Sequence, residues 1–237
     1  MPLVAALLIA GCSTEMPMAA SVTAQPVSSP APVARTVPER SLSVAFVGDS
    51  ITEGFGFIDY DRIWPARVCA QYGWEFQQFS SGGTGYVAVG ETDIFASRIP
   101  AIVAARPDVV VLAGGTNDVW YSQSRLQAAA AGMIATLRSE LPETQIILLS
   151  GFLQPKYVHG NRPDGRELAD VMQEQTDMLH ALAVQHELHF IDTRPLFQVP
   201  EVGRYVLNDG IHPNNTGHAR IAEQLGPLIA EAIAEEH

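Results

Sequence analysis

Basic residues are few in this sequence and do not cluster. The 237 residues include 14 Lys and Arg against 26 Asp and Glu, and the formal net charge is -12. Proteins that bind nucleic acid hold its phosphates with clustered basic side chains, so this composition argues against a nucleic-acid partner. Hydrophobic residues make up 47% of the chain. This share excludes a largely disordered protein and allows one folded domain of about 200 residues.

Long apolar runs and cysteines are also scarce. The N-terminal stretch MPLVAALLIAGC is too short to span a bilayer as a helix, and its length is typical of the core of a signal peptide. Ile9, Ala10, Gly11 and Cys12 resemble the lipobox of bacterial lipoproteins. This resemblance implies lipidation of the Cys12 thiol and an exported protein anchored to the bacterial cell envelope. No Lys or Arg precedes the apolar stretch, as one would in a lipoprotein signal, and a true start upstream of Met1 would account for this. A fortuitously apolar N-terminus is the alternative.

The next segment, residues 13–40, is rich in Ser, Ala and Pro and has few large apolar residues. Such a composition predicts a disordered tether that holds a folded domain, residues 41–237, away from a membrane surface. If Cys12 carries a lipid, Cys69 is the only remaining thiol, and the domain has no internal disulfide. Cys69 falls in a predicted helix, where we expect it to pack.

From residue 41 onward, short β-branched runs alternate with helical segments. Five runs have the length of buried strands and contain no proline: SLSVAFVG, WEFQQFS, DVVVLAG, TQIILLSG and ELHFIDT. Strict alternation predicts a parallel sheet covered by helices on both faces. The expected fold is a three-layer α/β/α sandwich with a five-stranded parallel, flavodoxin-like sheet of order 2-1-3-4-5.

The helical segments repeat apolar residues at intervals of three and four, which predicts one buried face for each helix. Two examples are the sets Leu126, Ala130, Met133, Leu137 and Ile221, Leu225, Leu228, Ile229.

Polar and small residues follow the predicted strands. Ligands of open parallel sheets bind beyond the carboxyl ends of the strands. Ser50 follows the first strand, a glycine turn follows the second, and Asn117 follows the third. Asp209 and His212 come after the fifth strand, in roughly twenty residues without clear periodicity, and such loops are more often functional than idle. This length allows the histidine to return to the first strand.

These residue types have complementary chemistry. A serine hydroxyl becomes a nucleophile when a base removes its proton, and neutral His is the usual base near pH 7. Asp209, three residues before His212, can orient the imidazole and stabilise the imidazolium. Candidate donors to the oxyanion of an attacked ester are the Ser50 N–H, a glycine N–H and the Asn117 amide. The structural alternatives are helix caps for Ser50 and Asn117, a role that Asp118 can also fill, and a surface turn for His212.

Four short segments carry these residues. They are Gly48-Asp49-Ser50-Ile51, Gly82-Gly83-Thr84, Gly115-Thr116-Asn117-Asp118 and Asp209-Gly210-Ile211-His212. In this order they resemble the four conserved blocks of the SGNH, or GDSL-type, hydrolase family, over residues 42–235. The resemblance implies that Ser50 is the nucleophile and that Asp209 and His212 are its catalytic partners. It also implies an oxyanion hole of Ser50, Gly83 and Asn117, and no cofactor.

The second block departs from the family pattern. The family usually has an asparagine before the glycine, where this chain has Gln78 or Phe79, so Gly82 stays an alternative to Gly83. The chain has no G-x-S-x-G motif, which favours this family over the α/β-hydrolases. A metal is not expected, because the histidines near the site have no third ligand at suitable spacing. The segment GTGYVA matches a dinucleotide fingerprint only formally, since a glycine interrupts any helix there.

Aromatic residues follow closely on several motif residues, and we expect them to surround the substrate pocket. They are Phe55, Phe57, Tyr86, Trp120 and Tyr121. We assign Asp49, Tyr86 and Trp120 to the pocket, with Asp49 bonded to loop backbone and not involved in proton transfer. Aromatic rings suit a sugar face or an acyl chain equally, and simple packing of the loops is the alternative.

The sequence therefore predicts an exported serine esterase that cleaves carboxylic esters through an acyl-enzyme intermediate. An envelope location suggests acylated glycans or short-chain lipid esters as substrates. One alternative is an O-acyltransferase that uses the same residues with a sugar hydroxyl in place of water. The other is a non-catalytic lipoprotein that binds acylated glycans or lipids. The expected partners are a small-molecule or glycan ester and, through the lipid on Cys12, a membrane.

Overall fold

The computed structural model describes residues 41–56, 59–90 and 93–235 of the chain. The predicted signal segment with Cys12, the predicted tether at residues 13–40, and Phe57 lie outside the described residues. In the described ranges, we find no helix with both the length and the apolar character needed to cross a membrane.

The centre of the fold is a five-stranded sheet. Its strands are β1 (Ser43–Gly48), β2 (Glu75–Ser80), β3 (Val109–Ala113), β4 (Gln145–Leu149) and β5 (His189–Ile191). All pairs are parallel and the order is β2-β1-β3-β4-β5. The predicted flavodoxin-like order is therefore confirmed. Every residue of β1, β3 and β4 is buried, as expected for strands covered on both faces.

Seven helices lie between and after the strands in the described part of the chain. They are α1 (Ser50–Glu53), α2 (Trp64–Tyr72), α3 (Ile99–Ala105), α4 (Gln123–Glu140), α5 (Pro155–Val158), α6 (Leu168–Gln185) and α7 (Asn215–Glu235). Pro65 and Pro100 lie in the first turns of α2 and α3, where a missing N–H breaks no helical bond.

Two hydrophobic cores cover the two faces of the sheet. Alternate residues of β1 point to opposite faces, so Phe46 packs with α2 and α7, and Val47 packs with α3, α4 and α6. Trp64 contacts the Phe46 ring edge-on at 5.3 Å between centroids. The three-layer α/β/α architecture is therefore confirmed.

One prediction about the buried face of α7 is wrong. Leu228 is 43% exposed, although Ile221, Leu225 and Ile229 are buried as predicted. A Cβ added at Gly226 would lie 3.3 Å from the Tyr72 ring of α2. Because α2 packs against this small residue, the buried face of α7 is rotated away from Leu228.

The segment between β5 and α7 returns the chain to the end of β1. It contains short 3-10 turns at Arg194–Phe197 and Val202–Arg204, and an antiparallel bridge that joins Val206 to Pro213. The Leu207 N–H donates to the His212 carbonyl at 2.7 Å. The first turn of α7 packs tightly on this segment, since a Cβ added at Gly217 would lie 2.0 Å from the Tyr205 carbonyl oxygen.

We predict that Gly217→Ala lowers the free energy of unfolding by about 3 kcal/mol, because the added methyl group overlaps a backbone atom that has little room to move. The control is Gly132→Ala in α4, where nothing lies within 4 Å of the added Cβ. This control should raise stability by about 0.5–1 kcal/mol, the difference in helix propensity. Urea unfolding of both variants tests this, and equal effects at the two sites would contradict it.

Candidate active site

Ser50 lies at the carboxyl end of β1, as the first residue of α1. The helix is capped by Asp49, whose Oδ1 accepts the Ile51 N–H at 2.9 Å. The proposed alternative role of Ser50 as the cap is therefore wrong, and its hydroxyl has another partner. Gly48 permits this tight turn, since a Cβ there would lie 2.8 Å from the Ala113 carbonyl oxygen.

Ser50, His212 and Asp209 form a continuous hydrogen-bonded chain. Ser50 Oγ lies 2.9 Å from His212 Nε2, and His212 Nδ1 lies 2.7 Å from Asp209 Oδ2. The other oxygen of Asp209 accepts the backbone N–H groups of Ile211 and His212 at 2.9 and 3.0 Å. Gly210 between them has φ +70°, a left-handed conformation that suits glycine. The turn thus fixes the carboxylate beside the imidazole.

The charge of Asp209 determines which nitrogen of His212 carries the proton. Burial by itself would raise the pKa of Asp209, but the bonds from the His212 ring and from two backbone N–H groups outweigh it and lower the pKa to about 2. Asp209 is therefore ionised at neutral pH and accepts a proton-bearing Nδ1. The lone pair of Nε2 then faces the Ser50 hydroxyl, which donates to it.

The predicted oxyanion donors lie around the same hydroxyl. The Asn117 Nδ2 donates to the Thr84 carbonyl at 2.9 Å, and this bond uses one of its two N–H groups. The N–H groups of Ser50, Gly82 and Gly83 have no acceptor among the described residues.

The structure favours Gly82 over Gly83 as the glycine donor. A Cβ added at Gly82 would lie 3.7 Å from Ser50 Cβ. At Gly83, which has φ +72°, the added Cβ would instead face the Cα of Gly90 at 3.5 Å. Both glycines line the cavity next to Ser50, and we use Gly82, the alternative named above, as the donor in the proposal below because it lies nearer the serine.

A fully buried carboxylate holds the glycine-rich loop in place. Asp118 accepts the backbone N–H groups of Tyr86, Val87 and Ala88 at 2.9, 2.9 and 2.7 Å. Burial raises its pKa, and these three bonds oppose that effect. A Cβ added at Gly85 would lie 2.5 Å from both carboxylate oxygens, so only glycine fits there. Sequence reasoning considered Asp118 only as a helix cap and missed this role.

Arg98 holds the same loop from another side. Its guanidinium donates to Thr84 Oγ1 and to Asp93 Oδ1, both at 3.0 Å, and lies 3.4 Å from the Gly48 carbonyl oxygen. It also packs over the Phe95 ring at 5.6 Å. The loop is thus joined to the end of β1 by one side chain and to the Asn117 turn by another.

Ser50 opens onto a cavity of about 770 Å³. Its lining residues are Ser50, Glu53, Phe55, Ser81, Gly82, Gly83, Val89, Gly90, Asn117, Tyr157, Ile211 and His212. Phe55 stacks on the His212 ring with 4.1 Å between centroids and is 51% exposed. Of these residues, Glu53, Val89 and Tyr157 belong to no motif, and no sequence signal identified them.

The three residues assigned to the pocket from sequence do not line this cavity. Asp49 is buried, since its carboxylate caps α1. Tyr86 is only 1% exposed, because Asp118 binds its N–H and its ring packs on Phe95 in the core. Trp120 is 47% exposed at the end of the Thr116–Trp120 turn and lies outside the lining. Phe55 is the described aromatic residue predicted around the pocket that does line it.

Cys69 and a buried histidine of α7 serve packing. Cys69 is buried, and burial raises the pKa of its thiol to about 12, so it is a poor nucleophile. His218 is buried in α7 and accepts the Trp64 N–H at Nδ1, 3.2 Å away. Burial lowers the pKa of His218 to about 4. The described residues contain no group of three or more His, Cys, Asp or Glu side chains suited to holding a metal ion.

The fold thus places a hydrogen-bonded Ser-His-Asp arrangement at the carboxyl ends of the strands, and comparison with known proteins identifies the family. Residues 46–220 match the GDSL-like Lipase/Acylhydrolase family. The chain belongs to this family.

The curated relative that it matches is an acetylxylan esterase from Xylanibacter ruminicola. The two are 28% identical over 82% of this chain and 44% of that protein. The chain thus spans less than half the length of this relative.

Solved structures share the fold. The crystal structure of TesA is 25% identical, with a TM-score of 0.61 over 78% of this chain and 96% of that one. A member of the lipolytic protein G-D-S-L family from Veillonella parvula is 21% identical, with a TM-score of 0.60 over 77% of this chain and 95% of that one.

The buried carboxyl of Asp49 leads to a prediction about pH. Burial is the main cause that raises its pKa from 3.8 to about 7, repulsion from Asp118 adds to it, and the Ile51 N–H opposes it. A folded-state pKa above the unfolded value means that Asp49 contributes stability at low pH that is lost as the pH rises through about 7. Asp49→Asn keeps an oxygen for the Ile51 N–H and has no charge. We therefore expect the melting temperature of Asp49→Asn, relative to that of the wild type, to rise as the pH increases from 5 to 8.

Thermal unfolding across this pH range measures the effect. The exposed Asp61→Asn serves as the control, and its difference from the wild type should not change with pH. A constant difference between Asp49→Asn and the wild type at every pH would show that Asp49 does not titrate there.

Proposed function

We propose that this protein is a serine esterase that removes short acyl groups, acetyl above all, from carbohydrate esters through an acyl-enzyme intermediate. One observation carries the proposal: the hydrogen-bonded chain from Ser50 to His212 to Asp209 opens onto a cavity that Gly82 and Asn117 also line. A nucleophile, a base and oxyanion donors thus face the same space, and the Asp209 carboxylate orients the base.

The first half-reaction forms the acyl-enzyme. Ser50 Oγ attacks the ester carbonyl carbon while its proton passes to His212 Nε2. The carbonyl oxygen becomes an oxyanion that accepts from the N–H groups of Ser50 and Gly82 and from the second N–H of Asn117. Asp209 stabilises the imidazolium without taking its proton. The intermediate then collapses as His212 gives the proton to the leaving alcohol, and the acyl group stays on Ser50.

The second half-reaction uses water. His212 removes a proton from a water molecule as its oxygen attacks the acyl-enzyme carbonyl, and the same donors stabilise the second oxyanion. Collapse returns the proton from His212 to Ser50 Oγ and releases the carboxylic acid. No step requires a group beyond these residues, the ester and water.

The cavity lining supports a short acyl group and a polar alcohol. Most of the lining is glycine, serine and polar side chains, with Phe55, Val89 and Ile211 as its purely hydrocarbon side chains. A volume of about 770 Å³ far exceeds an acetyl group and leaves room for a sugar. The match to an acetylxylan esterase is a further reason to propose an acetylated glycan.

We predict that Ser50→Ala lowers kcat for p-nitrophenyl acetate by at least about a thousandfold, as loss of a serine nucleophile does in other enzymes. The wild type should prefer acetate to octanoate esters and should release acetate from acetylated xylo-oligosaccharides. The matched control is Ser139→Ala, an exposed serine on α4, which should keep the wild-type rate.

Labelling with a fluorophosphonate identifies the nucleophile directly, since mass spectrometry should find the adduct on the peptide that contains Ser50. Equal turnover by the wild type and Ser50→Ala would contradict the assignment. A wild-type protein that neither turns over any of these esters nor reacts with the fluorophosphonate would instead be a binding protein.

We further propose that the protein is exported and anchored to the cell envelope by a lipid on Cys12, with residues 13–40 as its tether. The support is the lipobox-like sequence Ile9-Ala10-Gly11-Cys12. When the full chain is expressed in a bacterium fed radiolabelled palmitate, we expect the protein to carry label and to sediment with membranes. Cys12→Ser should lose both properties and Cys69→Ser neither. Unlabelled protein in the cytoplasmic fraction would rule the anchor out.

A further inference from the structure

Glu53 is a carboxylate on the cavity wall that the reaction described above does not use. It is the last residue of α1, three residues after Ser50. A Cβ added at Gly82 would lie 3.2 Å from Glu53 Oε2 and 3.7 Å from Ser50 Cβ. The carboxylate therefore lies beside the glycine that contributes an oxyanion donor.

The backbone of Glu53 is held in place. Gly54 follows it with φ +90° and ends the helix, and the Gly54 N–H donates to the Ser50 carbonyl at 3.0 Å. From β2, the Gln78 Nε2 donates to the Glu53 carbonyl at 3.2 Å. These contacts involve the Glu53 carbonyl and the main chain on either side of it, so a change of the Glu53 side chain leaves them intact.

The carboxylate itself has neither a hydrogen-bond partner nor an ion-pair partner among the described residues. The described lining of the cavity contains no Arg and no Lys. Lys156, the one lysine of the sequence, is exposed on α5 beside Gly210 and is not part of the lining. The ionised Asp209 adds a second negative charge next to His212.

We propose that Glu53 is a specificity residue that selects esters of uncharged alcohols and rejects those whose alcohol carries a negative charge. This inference rests on the proposed function and adds the charge of the substrate to it. Two like charges about 6 Å apart, at an effective dielectric constant of about 40, disfavour binding by about tenfold. A neutral sugar has the opposite effect, because its hydroxyl groups can donate to the unpaired carboxylate oxygens.

A pair of aryl acetates tests the proposal with the full chain. 4-Acetoxybenzamide and 4-acetoxybenzoate have the same reacting group and similar size, and only the benzoate is charged at pH 7.5. The measured quantity is the ratio of kcat/KM for the amide to kcat/KM for the benzoate. Differences in leaving-group chemistry cancel when this ratio is compared between variants.

We expect Glu53→Gln to lower this ratio by about tenfold and Glu53→Lys to lower it further. The wild-type ratio should fall as salt is raised from 0.05 to 1 M, because mobile ions screen the repulsion. The ratio of Glu53→Gln should fall less, because only the charge of Asp209 remains near the site. Glu75→Gln, which removes an exposed carboxylate at the start of β2 outside the cavity, is the matched control and should keep the wild-type ratio.

The proposal is overturned if Glu53→Gln keeps the wild-type ratio within twofold, or if Glu75→Gln lowers it equally. These results are distinct from failure of the proposed function, in which Ser50→Ala and the wild type hydrolyse the two acetates equally. If turnover depends on Ser50 but Glu53→Gln leaves the amide-to-benzoate ratio unchanged, the esterase function stands and the proposed charge selection is wrong.

Discussion

Three neighbouring strands end at the same level of the sheet, and the site depends on this register. Gly48 of β1 is paired with Ser80 of β2 and with Ala113 of β3. The turns that follow these residues carry the serine, the glycine donor and the asparagine. Parallel pairing alone therefore brings these three groups close to one another at one edge of the sheet. Only the histidine and its aspartate come from farther away, and the segment before α7 carries them back. The turn into α1 follows β1 immediately and leaves no space for a side chain at position 48, which is why this residue is glycine.

Two buried carboxylates organise the backbone on either side of the nucleophile. Asp49 binds an N–H of α1, and Asp118 binds three N–H groups of the glycine-rich loop. Burial of a charge is unfavourable and raises the pKa of both carboxyl groups, and repulsion from Asp118 raises the pKa of Asp49 further. Their removal would leave several N–H groups without acceptors. The fold thus retains two buried carboxyl groups where they hold the backbone beside Ser50 in a fixed geometry.

The fold and the motif residues could be predicted from sequence because they depend on regular patterns. Strand and helix alternation predicted the parallel sheet, and its expected flavodoxin-like order predicted that the turn after β1 lies between the turns after β2 and β3. The pocket could not be predicted, because the direction of a side chain in a turn depends on local hydrogen bonds. Tyr86 closely follows a motif glycine and was therefore expected at the pocket. Its N–H is instead bonded to Asp118, and its ring is buried in the core. Adjacent Gly82 and Gly83 look equivalent in sequence and differ only in backbone conformation, while Glu53 and Tyr157 lie in no motif at all.

The stacking of Phe55 on His212 bears on how the base stays ordered. The imidazole is bonded at both nitrogens, and one of its faces is covered by the phenyl ring at 4.1 Å between centroids. Rotation of the His212 side chain would break both hydrogen bonds and, at the same time, the stacking between the imidazole and the Phe55 ring. The loss of rotational entropy needed to orient the base therefore occurs once, when the protein folds, and not again in each catalytic cycle. An open cavity with an exposed aromatic rim can then exchange substrate and product quickly while its base stays aligned.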